Sequence, residues 1–375
     1  MKISCTQENL NQGLMVVSHI ANKNTNLPIL ANTLIKVEEK VLTLSATNLE
    51  IGVTIQLRSK VEDGGEFTVD ARLLTNYISL LPKERIDIEL GGDNLKIECQ
   101  KQKTKIKGQP ASDFPLIPKI KKEKPYIINS RDFKEAILVV SFAVSTSETR
   151  PEISGVFMGM EKENIILAAT DSYRLAEKKL KLAEGNKEER KIIIPVKTLQ
   201  ELSRILGVFK EDESIEEAGN IEIYLTENQI MFSYNGVDLI SRLIEGQYPD
   251  YTQIIPTNFK TQIIANNLDL IKAVKTSSLF TKSGIYDVKL DFNGDNKEII
   301  ITSSSAQTGE NTSIVEADII GESNSIVLNY HYLLDGLQNI GSEQAVIEIN
   351  DGNNPCVLKP KGKDDYVYII MPIKQ

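Results

Sequence analysis

The hydrophobic pattern of this chain changes period repeatedly, and the changes recur in one order. Over 7–20 the apolar positions Leu10, Leu14 and Val17 fall at helical spacing, with Ile20 less cleanly in phase and Thr6 placed to cap. β-Branched and alternating runs follow at 34–37, 41–45 and 51–57, the last two separated by Thr47-Asn48-Leu49-Glu50. Gly64-Gly65 predicts a turn and 67–69 a short strand. Asp70 stands as the N-cap of a helix over 71–81, with Leu73, Leu74, Tyr77, Ile78 and Leu81 on one face and Pro82 as its stop. Strands at 86–90 and 95–100 flank the hairpin signal Gly91-Gly92-Asp93-Asn94, and 104–107 reads as one more strand. The proline- and lysine-rich stretch 110–125 reads as a linker.

A second pass begins at Ser130, which caps a helix over 131–144 with Phe133, Ile137, Val140 and Val144 on one face. Strands at 155–160 and 165–169 lead into Ala169-Thr170-Asp171-Ser172, a polar corner, and an apolar-polar run resumes over 173–180. Ile192-Ile193-Ile194 precedes Pro195 and a helix over 196–206, followed by a hairpin at 221–225 and 229–234 and a linker-like 246–251. The third pass has a helix over 267–278 with Leu268, Ile271 and Val274 along one side. Strands at 288–292 and 298–302 precede a corner at Ser303-Ser304-Ser305-Ala306. A strand at 326–329 leads into a helix over 330–340, and strands at 345–350, 355–359 and 366–373 end the chain.

The three passes align. Phe67-Thr68-Val69-Asp70-Ala71-Arg72, Ile192-Ile193-Ile194-Pro195-Val196-Lys197 and Ile326-Val327-Leu328-Asn329-Tyr330-His331 occupy matching places, and Thr170 repeats Thr47. The period far exceeds the roughly 20–50 residues of solenoid repeats. The pattern therefore predicts an α+β chain of three tandem domains of one fold, each with two helices packed on β-sheets. The expected bounds are 1–122, 123–252 and 253–375.

Composition narrows the function. The formal charge is −9, which excludes a surface basic all over, the usual mark of a nucleic-acid binder. Charges within the six helical segments cancel, so the acid excess lies in strands and loops, and the helical faces are the least repulsive to phosphate. No run reaches the ~18 apolar residues of a membrane span. The first residues show no signal-peptide pattern, and Cys5, Cys99 and Cys356 lie far apart, as in a reducing cytoplasm. The sequon Asn311-Thr312-Ser313 carries no weight without secretion. His19 and His331 have no ligand-type partner at helical spacing, and no Walker, dinucleotide or nucleophile-elbow pattern occurs. No metal, no cofactor and no catalytic residue is expected, although Asp171, Ser172 and His331 form a conceivable hydrolytic set.

Several of these segments, in this order, carry a resemblance. Ala169-Thr170-Asp171-Ser172-Tyr173-Arg174-Leu175-Ala176, Tyr248-Pro249-Asp250-Tyr251, Leu27-Pro28-Ile29-Leu30 and Met371-Pro372-Ile373 are similar to the bacterial DNA polymerase III β subunit, the sliding clamp. The resemblance runs over the whole chain. It implies a head-to-tail homodimeric ring around double-stranded DNA, with helices lining the hole and no activity of its own. Its implied partners are the polymerase III α subunit, the clamp loader, and other polymerases and repair proteins that bind through short peptides.

The residues implied for the peptide groove are Thr170, Ser172, Tyr173, Arg174, Leu175, Pro249, Ile254, Tyr332, Pro355, Ile369, Met371, Pro372 and Ile373. In that set Leu175, Ile254, Ile369 and Met371 offer an apolar slot and Tyr173 and Arg174 polar edges. The family usually has Gly-His where this chain has Ser172-Tyr173. Positions implied to face DNA are Asn24, Arg72, Arg150, Lys197 and Asn329; those implied for dimerisation are Leu279 and Phe280 against Thr104 and Ile106 of the opposing edge. Two other readings stand beside the clamp: the hydrolase, and a peptide-docking adaptor that never encircles DNA.

Overall fold

The computed structural model describes residues 1–21, 26–147, 149–186, 188–209, 219–282, 284 and 286–374. Six α-helices lie among the described residues: α1 (Gln7–Val17), α2 (Ala71–Ser79), α3 (Ser130–Ser141), α4 (Val196–Val208), α5 (Asn267–Ser278) and α6 (Tyr330–Asn339). Four begin at a side-chain cap. Thr6, Asp70, Asn266 and Asn329 each accept a hydrogen bond from a backbone N–H in the first turn, which satisfies donors that have no partner inside the helix.

The helices are where the sequence places them, but two are rotated. In α5 the buried residues are Leu270, Ala273, Val274 and Ser277, and Leu268 is exposed. Of the expected stripe of Leu268, Ile271 and Val274 only Val274 is buried, because Leu270 rather than Leu268 turns inward. In α2, Ala71, Leu74 and Ile78 are buried while Leu73 points to solvent. Helix α3 ends at Ser141, before Val144.

The chain divides into two compact units, one of Met1–Lys134, Leu182–Asn186 and Lys197–Leu243, the other of Glu135–Lys181, Lys187–Val196 and Ile244–Gln375. Each contains one continuous antiparallel sheet, of fourteen strands in the first and twelve in the second. Several strands escape the sequence reading: Lys2–Thr6, Lys60–Asp63, Tyr126–Asn129, Val237–Arg242, Thr261–Asn266 and most of Gly309–Gly321. For Val237–Arg242 the signal was present. Asn235-Gly236 takes positive φ at both residues, the two-residue turn of a tight hairpin.

One rule generates both sheets. In the first unit, Ile51–Leu57, the strand after the Thr47 corner, pairs with Val237–Arg242, the last strand of the second repeat, with Leu239 opposite Val53. In the second unit, Arg174–Lys181, the strand after the Thr170 corner, pairs with Tyr366–Ile370, the last strand of the third repeat, with Leu175 opposite Ile369.

The corners that precede these strands are built alike. Thr47 Oγ1 donates to Ile51 O at 2.9 Å and accepts from Leu49 N at 3.1 Å. Thr170 Oγ1 donates to Arg174 O at 2.6 Å and accepts from Ser172 N at 3.1 Å. Asn48 Oδ1 accepts from the amides of Glu50 and Ile51, as Asp171 Oδ1 does from those of Tyr173 and Arg174. Leu49 (φ 78°) and Ser172 (φ 80°) both occupy the left-handed region. The third copy differs from expectation. Strand Glu298–Ser305 runs straight through Ser303, whose hydroxyl donates to Ser277 O, and the chain turns only after Ser305.

Neither expected linker is loose. Ile117 and Ile120 pack on Tyr224, Met231 and Ile240, and Lys122 Nζ donates to Asp238 Oδ1 at 2.8 Å. A Cβ on Gly52 would come within 2.7 Å of Ile117 Cγ2, so the strap lies directly on the strand at the joint. Tyr248 and Tyr251 are buried in the core of the second unit.

Asn48→Ala should destabilise the protein by about 1–3 kcal/mol, because two backbone donors lose their acceptor, whereas Asn48→Asp should retain most of the stability. Urea unfolding followed by circular dichroism measures both; equal losses would mean that the corner is not held by this acceptor.

Candidate functional site

The two corners share a backbone but not their surroundings, and the second is elaborated. Arg174 opens the strand after it, and every nitrogen of its guanidinium has a partner. Nε donates to Asp171 Oδ2 at 3.0 Å, Nη1 to the Asp335 carboxylate on α6, and Nη2 to Phe142 O at 3.0 Å, just past α3. Its plane lies over the ring of Tyr332, 4.7 Å from the centroid, with Phe142 at 5.5 Å. The Arg174 side chain is 12% exposed. Removing either carboxylate would leave a largely buried charge half paired, which is costly. Arg174 is therefore a strut that fixes corner, α6 and Phe142 together, not the free polar edge expected from the sequence.

Beneath the corner lies a closed apolar floor. Leu175 and Ile369, partners across the strand pair, are fully buried with Ile153, Ala168, Ile193, Tyr248, Tyr251 and Val357. They support the site from below and present no surface. The two tyrosines fix the segment that carries Pro249 and Ile254. Tyr251 Oη donates to Glu177 Oε2 at 2.6 Å and Tyr248 Oη to Ala168 O at 3.4 Å. Burial pushes both phenols well above their ordinary range, so each remains a neutral donor. Ile254, at the end of the short 3-10 turn Tyr251–Ile254, is exposed.

The tail forms the remaining wall. Met371 N donates to Tyr173 O at 2.8 Å and Ile373 N to Val327 O at 2.9 Å, so both ends of Met371-Pro372-Ile373 are pinned while their side chains stay half-exposed. Tyr173, exposed, and Tyr332 and Pro355, half-buried, complete the surface of the expected set. The surface of the set thus combines apolar Met371 and Ile254 with aromatic Tyr173 and Tyr332 over a rigid base.

Arg150 also belongs here. Its Nη1 donates to Ser172 Oγ at 2.9 Å and its Nε to Glu152 Oε1 at 3.1 Å. Sequence reading placed this arginine among the DNA-facing residues and assigned Phe142 and Asp335 no role in the site. Neither belongs to the corner motif, and contacts made only through space, at sequence separations of 32 and 161 residues, leave no local signal.

Of the other residues expected to face DNA, Arg72 and Lys197 are exposed at the second position of α2 and α4. Asn329 uses its side-chain oxygen to cap α6, and the exposed residue at the matching level is His331. Asn24 lies outside the described residues. The hydrolytic set does not assemble as a chain of hydrogen bonds. Ser172 Oγ receives Arg150, and the His331 ring lies 4.1 Å from that of Tyr330 and 4.9 Å from that of Tyr286. Among the described residues there is no group of three or more potential metal ligands, and no helix is long and apolar enough to cross a membrane.

Comparison with known proteins places these features. The family profiles for the N-terminal, central and C-terminal domains of the DNA polymerase III β subunit match residues 1–118, 127–250 and 252–374. A β sliding clamp of Staphylococcus epidermidis is 30% identical over 97% of this chain and 96% of its own. The sliding clamp of Bacillus subtilis superposes with a TM-score of 0.91 at 27% identity, covering 100% of this chain and 99% of that one. A Pseudomonas aeruginosa clamp bound to griselimycin superposes with a TM-score of 0.92 at 25% identity, each chain fully covered. With all three repeats matched in order and the fold shared from end to end, this chain belongs to the DNA polymerase III β subunit family, the bacterial sliding clamps, which are processivity factors of the polymerase and not catalysts.

Proposed function

We propose that two copies of this chain close head-to-tail into a ring that encircles duplex DNA in the cytoplasm. The ring tethers the polymerase III α subunit and docks the clamp loader, other polymerases and repair proteins at the Arg174 corner. Within this reading the three clamp domains span 1–122, 123–252 and 253–375.

The observation that carries the proposal is a pair of unused strand edges. Each corner strand pairs with the last strand of the following repeat, which leaves one strand over at either end of the series. Strand Gln102–Gln109, the last of the first repeat, bonds Asn94–Cys99 along 102–107 and among the described residues has no strand on its other side there. Strand Gly309–Gly321, which follows the third turn, bonds Glu298–Ser305 along 309–316 and among the described residues is likewise open on its other side there. The same rule applied across two copies joins these edges, and an open edge is a template for pairing.

Their charges are complementary. Lys103, Lys105 and Lys107 are exposed on one strand, and Glu310, Glu316 and Asp318 on the other, an arrangement that favours unlike over like edges. An open cleft of about 940 Å³ beside the acidic strand, bordered by Thr276, Ile314 and Glu316, leaves room for an incoming strand's side chains. Exposed apolar side chains occur in the same two repeats: Leu73 and Leu80 (81% exposed) on and after α2, Leu279 (71% exposed) and half-buried Phe280 after α5. Ile106 is buried within its own sheet, so the contact made by this strand is through its backbone, Thr104 and the lysines.

For DNA, exposed Arg72 and Lys197 stand at the positive ends of α2 and α4, where phosphate is favoured. A few such contacts centre a duplex without binding it tightly, and retention then comes from topology.

Loaded protein should stay on nicked circular DNA and leave once the circle is linearised; equal loss from both would sink the ring. Leu279→Ala with Phe280→Ala should shift the dimer to monomer in sedimentation, since each large apolar side chain buried is worth roughly 1.5–3 kcal/mol; a dimer intact at low concentration would refute the interface. Deleting residues 371–375 should weaken binding of a peptide from the polymerase α subunit by at least about tenfold while the dimer and its melting temperature hold. Unchanged affinity would remove the groove assignment.

A further inference from the structure

The third repeat departs from the first two at one place. The strand that lies against the one leading into the second helix of each repeat begins at Asn32, Gly155 and Asp287, opposite Asp70, Pro195 and Asn329. The residue before it is Ala31, Ser154 or Tyr286, and the second residue of the helix is Arg72, Lys197 or His331. Two copies thus combine a small residue with a cation. The third combines a tyrosine with a histidine.

Tyr286 is costly where it stands. Its φ of 60° lies in the left-handed region, an outlier for a bulky side chain, and such strain persists where the surroundings fix it. The Tyr286 carbonyl accepts from Tyr330 N at 2.8 Å, the first amide of α6. The ring of Tyr286 stands edge-on to those of Tyr330 (5.9 Å, 77°) and His331 (4.9 Å, 69°). The Tyr330 and His331 rings are 4.1 Å apart and tilted by 33°. Asn329 Oδ1 accepts from His331 N at 2.9 Å, which holds the histidine backbone as well. A cluster built for packing alone would be covered. Here Tyr330 is half-buried, while Tyr286 is 41% exposed and His331 is exposed. Rings held in one orientation and left open to solvent are suited to receive another flat ring.

We propose that Tyr286 and His331 form a stacking platform for an unpaired base of a DNA strand, a contact different in kind from the phosphate contacts of Arg72 and Lys197. The ligand class follows from the repeat: the platform occupies the positions at which the other two copies offer a cation to DNA. To that extent the inference rests on the ring reading above. The base must be unpaired because a base inside a duplex has both faces covered by its neighbours. Stacking on an aromatic side chain needs a free face and tolerates any sequence.

The test uses the full-length dimer, a fluorescein-labelled oligodeoxythymidylate and a labelled duplex of the same length, with anisotropy read at low and at high salt. Tyr286→Asn removes the ring with a residue that accepts left-handed backbone, and His331→Gln removes the other ring from an exposed helical position. Each should weaken binding of the single strand about fivefold. The factor should hold at high salt, where phosphate contacts fade. Tyr286→Phe should bind as the wild type does, and Tyr286→Asn should leave duplex affinity unchanged. Both losses should persist after deletion of residues 371–375, which separates this site from the docking groove. Thermal melting checks folding; if Tyr286→Asn melts early, His331→Gln carries the test. No binding of the single strand by the wild type, unchanged affinity in either folded variant, or an equal loss for the duplex would overturn the proposal. Loss of retention on nicked circles with the single-strand effects intact would overturn the ring reading and leave this site standing.

Discussion

Backbone pairing between repeats is the interaction on which this molecule depends. A strand edge is a row of unsatisfied N–H and C=O groups, and a chain of three similar repeats has several of them. Here the strand after each corner is consumed by the closing strand of the next repeat, giving two long sheets in place of six short ones. The register of each joint is set by its corner. Thr47 and Thr170 bind the carbonyl on the far side of the turn, so the strand that leaves is fixed relative to the strand that arrives. A slip of one residue would move Leu175 and Ile369 from the core to the opposite face.

Each joint is also covered. Ile117 and Ile120 lie over the first, and the Tyr248–Tyr251 segment over the second. The second joint then acquires what the first lacks: an arginine strut between two carboxylates, a pinned tail, and a rim arginine on a serine hydroxyl. The proposed docking surface thus lies along a structural seam. Its floor is rigid because it is part of the sheet core, and its walls come from segments whose backbone bonds are already made. Adaptable side chains on such a base suit a site that takes related but unequal peptides.

Much of this was legible in the sequence, and the remainder was not, for physical reasons. The existence of the helices follows from their period and caps. The rotation of α5 does not, because Leu268 and Leu270 are both apolar and only packing against the sheet decides which is inside. The pairing rule was half visible: repeats could be aligned, but strand partners more than 180 residues apart leave no local signal. The short strands at 2–6 and 261–266 have little hydrophobic contrast of their own. Around the corner, the residues of the corner and of the tail were named through the resemblance, each on its own short segment. Phe142 and Asp335 were not, because they meet Arg174 only through space. The left-handed backbone at Leu49 and Ser172 is likewise invisible in residue types that rarely adopt it.

The corner has one more consequence. All of its defining hydrogen bonds run through Thr and Asx side chains and the backbone, none through the side chain of the residue at the left-handed position. That residue carries a leucine in one copy and a serine in the other, with the same turn around both. The position therefore tolerates a change of side chain, at the conformational cost that a residue other than glycine carries there, without disturbing the register behind it. The surface beside the joint can thus change by one side chain while the pairing that holds the two repeats together stays as it is.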